Sequence, residues 1–155
     1  MMKVSQHLWF EKDMEAALRF YTSLIPGSKI DWISAVPADN PSGPAGSVRT
    51  AAFTLGDQRY MSVQAGPLDP FNHAFSVVVQ CDDQEEIDRL WEALKEGGSV
   101  EKCGWLRDRW GLSWQITPRR LGELMSNPAT GKKVAEAMLK MVKFDIAGLE
   151  AAAEA

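Results

Sequence analysis

Cysteine is almost missing from this chain: Cys81 and Cys103 are the only two in 155 residues. Two thiols in a chain this long make no disulfide framework, so a reducing compartment is expected. Long apolar runs are missing too. None approaches the roughly 20 residues a membrane span needs, and the start, Met1 to His7, carries no apolar signal core. The expectation is a cytoplasmic protein with no membrane partner. Excess positive charge is also lacking, since the net charge is −4, and that disfavours nucleic acid, whose phosphates need clustered Lys and Arg. Lys132, Lys133, Lys140 and Lys143 do gather near the end, but read as a solvated helix face. Asn40-Pro41-Ser42 has a proline where a glycan acceptor forbids one. There is no Ser-His-Asp order, phosphate loop or zinc-finger spacing. Gly43-Pro44-Ala45-Gly46 does not lie between a strand and a helix, so it is no nucleotide fingerprint.

An ordinary apolar fraction of 45% is present, enough for one globular domain or two half-domains with a real core. Val4 to Phe10 reads as a strand, and Asp13 as the cap of a helix with Met14, Ala17, Leu18 and Tyr21 on one face. Pro26-Gly27 ends that helix, and Ser28 to Ser34 is a second strand. Ala35 to Ser47, rich in Pro, Gly and small residues, is a long loop and a candidate lid. Val48 to Leu55 and Gln58 to Gln64 form a hairpin across Gly56-Asp57. The pattern then repeats about 70 residues on, Gly97 following Gly27. Ala74 to Gln80 is a strand, Asp82 with Glu85 has capping-box spacing, and Ile87, Leu90, Trp91 and Leu94 share a helix face. Gly97-Gly98 stops the helix and Ser99 opens a strand. Cys103 to Ile116 reads as strand, tight turn, strand with three tryptophans, its Arg107-Asp108-Arg109 a solvated turn. After the break at Ser126-Asn127-Pro128, Val134, Ala137, Met138 and Met141 form a further stripe. Asp145 can cap a last helix through Ile146 and Leu149. The fold class is therefore α+β: two βαβββ modules, 1–66 and 72–118, in one domain of 1–155, with a helical extension over 121–155.

Those modules resemble the vicinal oxygen chelate superfamily, which includes glyoxalase I, extradiol dioxygenases and bleomycin-resistance proteins. Several local runs resemble its PhnB-like, or 3-demethylubiquinone-9 3-methyltransferase-like, branch. They are Leu8-Trp9-Phe10 with Glu15 to Tyr21, Cys103-Gly104-Trp105-Leu106 with Asp108, Gly111 and Trp114-Gln115-Ile116, and Ala137 to Met141 with Lys143, Asp145-Ile146 and Leu149. The resemblance implies a curled mixed sheet in each module, a homodimer, and one divalent ion where the two cups meet. It places Gln6, Met61 (Tyr60 if the register slips), His73 and Gln115 at the ligand positions, where relatives carry His or Gln, Glu, His and Glu. Neutral amides, a thioether and one imidazole supply no anion for a hard or borderline dication. No metal or other cofactor is expected.

What remains is a mostly apolar cavity with a few convergent polar groups. Its candidates are Gln6, Leu8, Met61, His73, Phe75, Trp105, Ser113 and Gln115, with strand alternation pairing Gln6 with Leu8, His73 with Phe75 and Gln115 with Ser113. His73 is a candidate base or hydrogen-bond partner; the alternative is a histidine satisfied by backbone. Gln115 either bonds a ligand or ties strands together. Cys103 reads as an inert thiol, and the tryptophans as packing or as a stacking wall. No catalytic residue is assigned. The reading is a metal-free homodimer that binds a small molecule. The rivals are a metal-dependent lyase, isomerase or dioxygenase and a non-catalytic interaction protein. Methyl transfer is disfavoured, because the chain lacks the length and glycine loop of a doubly wound sheet.

Overall fold

The computed structural model describes residues 3–67 and 69–155, which divide into two compact units, Met1–Asp69 and Pro70–Ala155. The first unit runs β1 (Gln6–Phe10), α1 (Met14–Leu24), β2 (Lys29–Ala35), β3 (Arg49–Leu55) and β4 (Gln58–Gln64). The second runs β5 (Ser76–Cys81), α2 (Gln84–Lys95), β6 (Ser99–Val100), β7 (Trp105–Arg107) and β8 (Ser113–Pro118), followed by α3 (Leu121–Ser126), α4 (Gly131–Met138) and α5 (Ile146–Glu154). The sheets are ordered β1-β4-β3-β2 and β5-β8-β7-β6. In each, the first and last strands of the module pair in parallel and the others antiparallel. The repeat read from the chain is thus a repeated topology.

Each unit packs its helix on one sheet face. In the first, Met14, Ala17, Leu18 and Tyr21 of α1 are buried. They meet the face carrying Leu8, Phe10, Phe53, Tyr60 and Ser62, which Ser62 marks by donating to Met14 Sδ at 3.1 Å. Phe53 stacks on its register partner Tyr60, 5.0 Å between rings. In the second, Ile87, Leu90, Trp91 and Leu94 of α2 are buried, as are Leu106, Trp114 and Ile116 of β7 and β8. Burial of each such side chain contributes about 1.5–3 kcal/mol.

Some local readings shift. β1 starts at Gln6 and β5 at Ser76, because Val4 and Ala74 lie outside the ladders. Asp13 sits at φ 61° without capping α1; Gln64, fifty positions away, accepts from Met14 N at 2.9 Å instead. Asp83, not Asp82, caps α2 by accepting from Glu86 N. Asp145 makes no side-chain cap, and Gln84 Oε1 takes the Ile146 N–H of α5 at 2.8 Å. Met141 lies beyond the end of α4, which stops at Met138. Asp108 is no solvated turn residue. It is 3% exposed and accepts from Trp110 N, Leu112 N and Trp114 Nε1. One carboxylate thereby shapes the turn and satisfies the buried indole.

The long loop is closed on itself. Val36 N donates to Val48 O, Gly46 N to Val36 O, and Asn40 and Gly43 form a bridge. A lid hinged at its ends would have to break those bonds. Cys103 and Gly104 are anchored by Met141 O and Val142 O. Gly104 has φ 79°, and a Cβ there would meet the Phe144 ring at 2.4 Å and Ile116 O at 2.8 Å. The Cys-Gly-Trp run requires glycine because the C-terminal segment crosses against the sheet at that point.

Candidate functional site

Each helix covers one face of its sheet, and strand alternation decides which side chains occupy the other, which is open in that no helix of its own module packs on it. On β8, Trp114 and Ile116 go to the core, so Ser113 and Gln115 go to the open face. Register carries that face across β5 and β7: Ser76 pairs with Ser113, Val78 with Gln115, Trp105 with Gln115 and Arg107 with Ser113. Gln115 Nε2 donates to Ser76 Oγ at 3.0 Å. Val78, 51% exposed, is the apolar part of the surface.

His73, three residues before β5, reaches this face. Its Nδ1 lies 2.6 Å from Ser113 Oγ and its Nε2 2.6 Å from Glu101 Oε1. The ring meets Trp105 edge to face at 5.0 Å. Glu101 is also 3.4 Å from Arg107 Nε. An ionised carboxylate only accepts, so Nε2 carries the proton and donates to Glu101. In the neutral ring Nδ1 then accepts from the Ser113 hydroxyl. Ser113 itself is fully buried, so this Ser-His-Glu row presents no accessible nucleophile. It is a braced, polar wall with Trp105 beside it.

On β1 and β4 the register is Gln6 with Tyr60 and His7 with Met61. Paired residues share a face, so Gln6 lies on the same side as Leu8, toward α1, while Met61, 42% exposed, lies on the open side with His7. Ala52 pairs with both Met61 and Trp32, extending the open row. Of the residues expected from the sequence, the second unit gathers His73, Trp105, Ser113 and Gln115 on one face. Phe75, 39% exposed, falls outside β5. Leu8, 2% exposed, is core of the first unit. Glu101, Arg107, Ser76, Trp32 and Arg59 were not anticipated. Alternation could have flagged Arg107 and Ser76 as face-mates of Ser113, but Glu101 joins through a turn.

The donor set answers whether a divalent ion fits. Gln6 and Met61 lie on opposite faces of their sheet. Both His73 nitrogens are engaged, one protonated toward Glu101. Among the described residues no three His, Cys, Asp or Glu side chains are grouped to hold a metal. These residues do not fit the ion.

Each unit is a βαβββ module, and both have the same strand order. The 3-demethylubiquinone-9 3-methyltransferase model matches residues 2–117, and the chain belongs to that PhnB-like family. It is similar to the PhnB protein of Bacillus cereus, with 32% identity over 76% of this chain and 99% of that one, and a TM-score of 0.67. Two further structures share the fold. Protein PA1353 of Pseudomonas aeruginosa has 23% identity, 76% and 98% coverage and a TM-score of 0.59. The fosfomycin resistance protein FosX of Mesorhizobium loti has 16% identity, 81% and 98% coverage and a TM-score of 0.55. No curated protein matches the chain.

Proposed function

We propose that this PhnB-like protein is a metal-free homodimer that binds a small molecule against the open sheet face of its second unit, without metal-assisted turnover. The observation that carries this reading is the wall on the second unit, where His73, Ser113, Gln115 and Ser76 are held by one another beside Trp105. Preorganised polar groups next to an aromatic surface and the exposed Val78 are the form of a ligand site. Orientation of a ligand would fall to the Gln115 amide oxygen and to the Glu101–Arg107 pair, and its apolar part to Trp105. Methyl transfer by a doubly wound nucleotide-binding fold is disfavoured by the mixed sheet order.

Thermal-shift screening of the purified protein against divalent metals and small metabolites tests the reading, because a ligand that binds only the native state raises its stability. A metabolite hit that Gln115→Ala and Trp105→Ala both weaken, with no stabilisation by Mn, Fe, Ni or Zn, is expected. Stoichiometric metal in the purified protein would replace this function with a glyoxalase-type or dioxygenase-type enzyme. A monomer in solution scattering at micromolar concentration would remove the homodimer.

A further inference from the structure

The first unit carries a cavity of about 280 Å³ whose lining includes Lys3, Trp32, Ala52, Arg59 and Met61. Its wall is made by a β-bulge. Ile30 pairs with Phe53 on the core side, and simple alternation would send Trp32 to that same side. The register slips between Ile30 and Trp32, so Trp32 instead stands opposite Ala52 in the open row with Met61 and His7. Bulges re-aim side chains in this way next to sites. The result is a large indole, 45% exposed, beside a thioether that is 42% exposed, over a floor made by the small Ala52.

The cavity is also cationic. Arg59, two residues before Met61 on β4, and Lys3 both line it. Neither is in an ion pair among the described residues. The acids near them in the strands bond other groups: Asp31 bonds Lys29 and Thr54, the register partner of Arg59, and Asp57 bonds Gln58. No carboxylate lines the cavity. Two cations in no ion pair among the described residues, beside an indole and a sulfur, are complementary to a planar anion, with its ring on Trp32 and Met61 and its carboxylate on Arg59, whose fork matches that group. A cavity just under the usual range of about 300–1,000 Å³ suits a one- or two-ring molecule.

We infer that the first unit carries a second ligand site, for a small aromatic or conjugated carboxylate held by Arg59 and Lys3 and stacked on Trp32. The inference goes beyond the small-molecule reading above, whose polar wall lies on the second unit. Calorimetry with 2-naphthoate and its neutral amide, 2-naphthamide, tests it on the intact protein. Naphthoate should bind one per chain, weaken as salt rises, and lose about tenfold or more in affinity in Arg59→Gln. Trp32→Ala should weaken it as well, and naphthamide should bind much less. Arg59 is exposed, so its replacement leaves the fold intact. Equal binding of acid and amide, or an unchanged Arg59→Gln, overturns the anion assignment while the small-molecule reading stands. No naphthoate binding overturns this inference, whereas the reading itself falls only if the wider metabolite screen is also empty.

Discussion

Two cysteines show how place decides chemistry. Cys81 is 1% exposed, and burial, with Glu86 adding to it, pushes its thiol up to about 12. Cys103 is half-buried beside Met138 O. Iodoacetamide at about pH 8 should therefore label Cys103 first and reach Cys81 only on unfolding, as peptide mass spectrometry would show. Gly104 carries a heavier constraint. Gly104→Ala would combine a positive φ with a methyl driven into the Phe144 ring, at an expected cost of about 2–4 kcal/mol in denaturant unfolding. The glycine and its neighbours stood out in the sequence, but the reason for them, a crossing segment forty residues away, did not.

At the scale of elements, two glutamines replace the caps that local sequence suggested. Gln64 closes the start of α1, and Gln64→Ala should cost about 1 kcal/mol. Gln84 does more: its oxygen takes Ile146 N, and its nitrogen donates to Phe144 O and Asp88. Gln84→Ala should destabilise by about 2 kcal/mol and speed amide exchange in α5 more than in α2, which hydrogen-exchange mass spectrometry would resolve. Helix positions were legible because apolar spacing at i, i+3, i+4 and i+7 is local. Cap partners were not, because they lie fifty to sixty residues away. Asp108 read as solvated for a different reason: its three donors lie within six residues, but only the folded turn closes them over its carboxylate.

Across the whole molecule, charge is tied to folding in both units. Arg49 and then Arg19 bond Glu15 and hold its carboxyl below the ordinary range; Lys143 and then Gln84 do the same for Asp88. A carboxyl whose folded pKa is depressed adds stability above its unfolded value and loses it as pH falls through the folded one. That window lies at and below about pH 4. The double variant Glu15→Gln, Asp88→Asn should be less stable near neutrality and approach the parent in acid, giving a flatter acid limb of Tm against pH. The candidate site was partly visible at this scale: His73, Trp105, Ser113 and Gln115 share a face because β8 alternates and β7 follows it in register. Gln6 and Met61 do not share one, since the parallel pairing of β1 with β4 sets Gln6 against Tyr60.

Composition and periodicity alone determined the duplicated modules and the helix faces that build the cores, because hydrophobic spacing is written in neighbouring residues. Only tertiary structure decided which polar groups meet. The bulge that turns Trp32 outward, the register of β1 on β4 and the reach of Glu101 to His73 all depend on strands brought together across long stretches of chain. A one-residue shift in any of them moves a side chain to the opposite face.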